Sequence, residues 1–119
     1  MENRNKAETF IGFAVRAGKF RSGANTLATL KKAYLILVCG TAAENTKNLA
    51  VKYAAKYRCR AFCTSGIGLS EIAHKDGIKI AAVTDLSLAN AIIANAAPYF
   101  TELSERDRTK TTALNTIRL

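Results

Sequence analysis

The sequence predicts an α/β domain with a central sheet, at least partly parallel, and helices on both faces. Three observations carry this. Short apolar runs alternate with helical patterns along the chain. The run over residues 34–39, Tyr-Leu-Ile-Leu-Val-Cys, is apolar throughout, as a strand buried on both faces must be. A helical stripe of Leu49, Ala50, Tyr53, Ala54 and Tyr57 follows it, and then a second short apolar run, the order of a crossover unit. The right-handed crossover rule then limits the topology.

Taken in order, Asn5-Lys6-Ala7-Glu8 has the residue types of a capping box, so the first helix is expected to start near Asn5. Ala7, Phe10, Ile11, Ala14 and Val15 recur at helical spacing and predict its buried face. Gly18 is the expected stop, because glycine takes the left-handed conformation without penalty. Arg16, Lys19 and Arg21 cluster at this exit. Phe20-Arg21-Ser22 is short enough for an edge strand. Ser22-Gly23-Ala24-Asn25 reads as the start of a second helix, with Ser22 as cap and Gly23 letting a ligand approach the backbone. Leu27, Leu30 and Ala33 are its expected core contacts, and Lys31 and Lys32 close it against the helix dipole.

Gly40 breaks the apolar run that follows. Thr41-Ala42-Ala43-Glu44 reads as the capping box of the third helix. Lys52 and Lys56, four apart, are neighbours on that helix and read with Arg58 as a solvated face, whereas Tyr53 and Tyr57 read as core. Residues 60–64 are the second strand of the crossover. Ser65-Gly66-Ile67-Gly68 turns into a brief helix over 69–73, and His74-Lys75-Asp76-Gly77 is a polar turn. Residues 78–84 are the next strand. Asp85 is placed to cap the last helix, with Leu88, Ala91, Ile92 and Ala96 inward and Pro98 just beyond its end. From Ser104 the chain is polar with no sustained period. The expectation is one domain over 1–103 and a flexible tail over 104–119.

The 119 residues hold 18 basic and 9 acidic side chains, a formal charge of +9, and a hydrophobic fraction of 49%. That fraction suffices for a packed core and argues against disorder of the whole chain. A small domain with this positive excess attracts polyanions, and nucleic acid is the first candidate. No apolar run approaches the roughly 20 residues that cross a bilayer. The first residues, Met1-Glu2-Asn3-Arg4-Asn5, lack the apolar core of a signal peptide, so a cytoplasmic location is expected. The three cysteines, Cys39, Cys59 and Cys63, are an odd count that argues against a disulfide framework. With His74 as the single histidine they make no convincing zinc spacing.

Enzyme signatures are weak. Glu71-Ile72-Ala73-His74 has a Glu-x-x-His spacing, but the second copy and further glutamates of a carboxylate metal bundle are missing. Ser70, His74 and Asp85 sit in no nucleophile-elbow context. Gly66-Ile67-Gly68 is too short for a dinucleotide fingerprint. The chain is expected to be no enzyme and to need no cofactor.

Three stretches together carry a family resemblance. They are Ile11-Gly12-Phe13-Ala14-Val15-Arg16-Ala17-Gly18-Lys19 with Ser22-Gly23; Ala33-Tyr34-Leu35-Ile36-Leu37-Val38 with Ala42-Ala43-Glu44-Asn45-Thr46-Lys47; and Val83-Thr84-Asp85 with Leu88-Ala89. The chain resembles the kink-turn RNA binders named after the archaeal ribosomal protein L-seven-Ae and its L-thirty-e relatives, above all their bacterial YlxQ-type branch. The resemblance implies a three-layer α/β/α sandwich with a central mixed four-stranded sheet, no catalysis, and structured RNA as partner. Ribosomal proteins as further partners and a monomeric chain are expected as well. In that family the RNA site lies at the start of the second helix, with the pattern Gly-x-Asn-Glu-x-x-Lys. Gly23 and Asn25 match it, while Thr26 stands in place of the glutamate and Thr29 in place of the lysine. Threonine donates and accepts but has less reach and no charge.

The residues point the same way on physical grounds. A helix start offers free N–H groups, here at Gly23, Ala24 and Asn25, and partial positive charge for a phosphate. Asn25 matches a base edge through both halves of its amide. Lys19 and Arg21 before the helix and Lys32 after it are expected on the RNA backbone. The turn at Lys75, Gly77 and Ile78 corresponds to a second family loop, with Ile78 as apolar contact and Lys75 or Lys79 on phosphate. The competing readings are a plain helix cap at residues 22–25, a protein-interaction module on the same scaffold, and a small α/β enzyme or nucleotide-binding domain.

Overall fold

The computed structural model describes residues 6–65, 67–96 and 100–103. Ten elements follow one another: α1 Lys6–Arg16, β1 Phe20–Ser22, α2 Ala24–Ala28, β2 Leu35–Val38, α3 Glu44–Tyr57, β3 Arg60–Thr64, α4 Leu69–Ala73, β4 Ile80–Val83, α5 Leu86–Ala94 and β5 Phe100–Leu103. The strands form one sheet in the order β1-β4-β2-β3-β5. β2 and β3 are parallel, as the crossover reading requires, and the other three pairings are antiparallel. The α/β class and the mixed sheet are therefore as expected.

The sheet has five strands, not four. The added one, β5, pairs antiparallel with β3, setting Phe100 against Thr64 and Ala61 against Leu103. Its sequence, Phe-Thr-Glu-Leu, neither alternates nor runs apolar, because an edge strand is covered on few sides. Arg60 fastens it: its Nε and a terminal nitrogen donate to the two Glu102 carboxylate oxygens at 2.8 and 2.7 Å.

β2 and β4 are buried at every position and lie side by side in the sheet. Ile11 of α1, Leu27 of α2, Leu69 and Ile72 of α4 and Ile92 of α5 close over the sheet with almost no exposure. α1 ends as predicted. Gly18 stands at φ 75, the Gly18 N–H donates to Val15 O at 3.2 Å and the Lys19 N–H to Ala14 O at 2.8 Å. Those two bonds make a Schellman motif. Asp85 caps α5, its carboxylate accepting from the Leu88 N–H at 2.8 Å.

Two other caps differ from the sequence reading. α3 is capped by Ala43 with no side-chain hydrogen bond, and Thr41 turns its hydroxyl to the Cys39 sulfur at 3.2 Å instead. Ser22 belongs to β1, so Gly23 is the cap of α2, again without a side-chain bond. α2 is also shorter than expected, five residues, and leaves Leu30, Lys31, Lys32 and Ala33 outside it. Side chains of α3 hold carbonyls of α2 and of the turn after it: Tyr57 Oη donates to Leu27 O and to Leu30 O, the latter at 3.1 Å, and Lys56 Nζ to Ala28 O at 2.8 Å. Lys56 is thus no idle surface charge. The expected cap Asn5, Pro98 and the tail over 104–119 lie outside the described residues.

Gly40 serves a purpose the sequence did not reveal. A Cβ there would stand 2.1 Å from the Thr64 carbonyl oxygen. The Gly40 N–H donates to the buried Thr64 hydroxyl at 2.8 Å, so the ends of β2 and β3 close on each other. Among the described residues no helix is long and apolar enough to cross a membrane.

Candidate nucleic-acid interface

Strand direction decides which loops meet. β4 runs antiparallel to both β1 and β2, and β3 runs with β2. The ends of β1, β2 and β3 and the start of β4 therefore share one edge of the sheet. Two backbone bonds tie that edge: the Gly23 N–H donates to Ile80 O at 3.0 Å and the Cys39 N–H to Lys79 O at 2.8 Å. Above it opens a cleft of about 330 Å³. Ser22, Gly23 and Ala24 line one side, Asp76, Gly77, Ile78, Lys79 and Ile80 the other, and Thr46 and Leu49 of α3 close the third.

Two stretches more than fifty residues apart in the chain, both singled out by sequence, thus face one cavity. Of the expected site residues the cleft collects Ser22, Gly23, Ala24, Gly77, Ile78 and Lys79. Asn25 is exposed in the first turn of α2 beside it, and among the described residues no partner takes the Ala24 or Asn25 N–H.

The remaining expectations need correction. Gly23 does not offer a free N–H, because the sheet uses it. A five-residue helix also sums few peptide dipoles, so α2 is a weak anion site by itself. Lys19 stands at the opposite edge: its carbonyl accepts from the Thr84 N–H at 2.9 Å, at the far end of β4. Lys32 precedes β2 and lies toward that same far edge, its ammonium 5.8 Å from the Tyr34 ring centre. Arg21 is exposed on β1 without lining the cleft. Thr26 is half-buried and its carbonyl accepts from both the N–H and the hydroxyl of Thr29, at 3.1 and 3.2 Å. Thr29 is therefore bound back to its own helix. Lys75 is exposed and also off the cleft. Ile78 is 5% exposed, with its N–H on the Ser70 hydroxyl at 2.8 Å, so it is a wall and not a projecting contact.

Thr46, Leu49, Asp76 and Ile80 are the lining residues that site reasoning missed. Thr46 lies in the Glu-Asn-Thr-Lys segment and Asp76 in the polar turn, so both were visible as segments. Their convergence depends on the packing of α3 and was not.

A second cleft, of about 440 Å³, opens between the ends of β2 and β3, lined by Gly40, Thr41, Thr64, Ser65, Ile67, Gly68 and Glu71. The Cys39 sulfur lies behind Gly68. Burial pushes this thiol up, yet hydrogen bonds from the Thr41 hydroxyl, the backbone at Leu69 and Thr41, and the Thr64 hydroxyl together hold it below its ordinary value. Cys59 is pushed up to about 11 by burial, and burial raises Cys63 as well. All three are free thiols. Among the described residues no three metal-ligating side chains come together.

No protein-family model matches the chain, and no curated protein does. A solved structure of a protein with unknown function from Bacillus halodurans C is similar, with a TM-score of 0.68 and 17% identity over 76% of this chain and 96% of that one. At that identity the likeness extends to the fold alone.

Proposed function

We propose that this chain is a non-catalytic RNA-binding protein, ribosome-associated or directed to structured, kink-turn-like RNA, on the three-layer scaffold of the L-seven-Ae and L-thirty-e family. One observation carries the reading: the stretch at Ser22, Gly23 and Ala24 and the turn at Gly77, Ile78 and Lys79 line a single cleft in a chain of charge +9. Asn25 stands exposed beside that cleft with both amide groups available to a base edge. The layered arrangement is supported by helix contacts, since α3 touches β2, β3 and α2, while α1 touches α4 and α5. On this reading the chain works in the cytoplasm as a monomer, without cofactor, beside ribosomal proteins.

The test is a binding titration against a kink-turn RNA and a random duplex, with Asn25→Ala in parallel. Affinity for the kink-turn falls by about 1–3 kcal/mol in the variant, while the duplex is little affected. Equal losses on both would leave only charge attraction.

A second reading, a protein-interaction module, is favoured by the exposure of Phe13 on α1 and Leu86 on α5, at 43% and 55%. Its mark is a pull-down partner that survives nuclease treatment.

A further inference from the structure

A carboxylate is an unexpected neighbour for RNA. Asp76 is the one acidic side chain lining the cleft, it is exposed, and among the described residues it holds no ion pair with Lys75 or Lys79 and no hydrogen bond. Left unmatched, such a charge repels every phosphate that approaches it. It is tolerable in an RNA site when N–H donors on the ligand satisfy it.

The four bases differ in this respect. Guanine sets two N–H donors side by side on its Watson–Crick edge, N1–H and the N2 amino group. Adenine and cytosine each set one amino donor beside a ring-nitrogen acceptor, and uracil sets one N–H between two carbonyls. A carboxylate is acceptor-only, with two oxygens. It therefore matches guanine twice and confronts an acceptor in each of the others, so the same group attracts one base and repels three.

The surroundings suit a single unstacked base. Leu49, Ile78 and Ile80 give the cleft apolar walls, and its volume of about 330 Å³ is small. Lys79 lines it beside Asp76 and supplies a cation for the base's own phosphate. We infer that Asp76 makes this cleft a guanine reader, accepting from N1–H and N2–H of a base splayed out of a structured RNA. The inference rests on the RNA reading above and names the base that site takes.

The test uses the full chain and RNA hairpins with one bulged guanosine, inosine, adenosine, cytidine or uridine, with Asp76→Asn in parallel. Inosine keeps N1–H and lacks the N2 amino group. The bulged guanosine binds about fivefold or more tightly than inosine or any other base. Asp76→Asn loses that preference and binds the bulged uridine at least as well as the parent does, since one negative charge is gone. Asp76 is exposed in a turn, and circular dichroism verifies that the variant stays folded. Equal binding of all five hairpins by the parent chain, or a guanosine preference that survives Asp76→Asn, overturns the inference and leaves RNA binding standing. Failure to bind any hairpin by a chain that still binds the kink-turn RNA overturns the inference alone, and failure to bind either kind of RNA sinks both. Guanosine monophosphate binding as tightly as the bulged-guanosine hairpin overturns the RNA assignment in favour of a free nucleotide.

Discussion

At the scale of single residues, two helix ends use the wrong residue for their geometry. Arg58 closes α3 at φ 57, and His74 closes α4 at φ 58. The Arg58 N–H donates to Ala55 O and the Cys59 N–H to Ala54 O, the same pair of bonds that Gly18 provides after α1. Here a Cβ is present where glycine is favoured. Arg58→Gly should stabilise the fold by about 1 kcal/mol, read as a higher urea midpoint at unchanged slope. A lower midpoint would mean that the arginine makes a contact worth more than the strain. Gly40 poses the opposite case, because its need for glycine is one of space between two strand ends and not of backbone angle.

At the scale of elements, α2 and β5 are each held by side chains from elsewhere. Five residues cannot sustain a helix alone, since nucleation fixes several dihedrals for a single hydrogen bond. Tyr57 supplies the missing stability by donating to the carbonyls of Leu27 and Leu30. Tyr57→Phe should cost about 1–2 kcal/mol. The loss should appear first as faster hydrogen exchange at the Leu27 amide, with β2 amides unaffected. β5 depends on Arg60, whose hydrogen bonds hold the Glu102 carboxyl below its ordinary range. A depressed carboxylate stabilises above its unfolded value and loses that contribution as pH falls through the folded one. Both side chains are exposed, so the effect is at most about 1 kcal/mol after solvent screening. Arg60→Ala should return Glu102 toward the ordinary range in an NMR titration, and an unmoved Glu102 would show that the pair is idle.

For the whole molecule, the lysines expected on RNA do not gather at one place among the described residues. Lys19 and Lys32 lie toward one sheet edge, while Lys79 lines the cleft at the other. Salt dependence of RNA binding separates these groups. Lys79→Ala should lower the slope of log affinity against log salt by about 1, whereas Lys32→Ala should leave it nearly unchanged. Equal changes would mean that RNA lies across both edges.

Much of this was legible in the chain itself. The all-apolar runs of β2 and β4, the stripe of α3, the stop at Gly18 and the Asp85 cap are local patterns, set by side-chain periodicity and backbone preference within one turn or strand. Sequence determined the element types and order from α1 to α5 and the two stretches, around Gly23 and Gly77, that flank the cleft. Tertiary structure alone decided the length of α2, the fifth strand, the entry of Asp76, Thr46 and Leu49 into the site, and the exclusion of Lys19 and Lys32 from it. The reason is direction. A strand's position and sense in the sheet select which edge its ends reach, and that choice comes from pairing between distant segments, which no local pattern records.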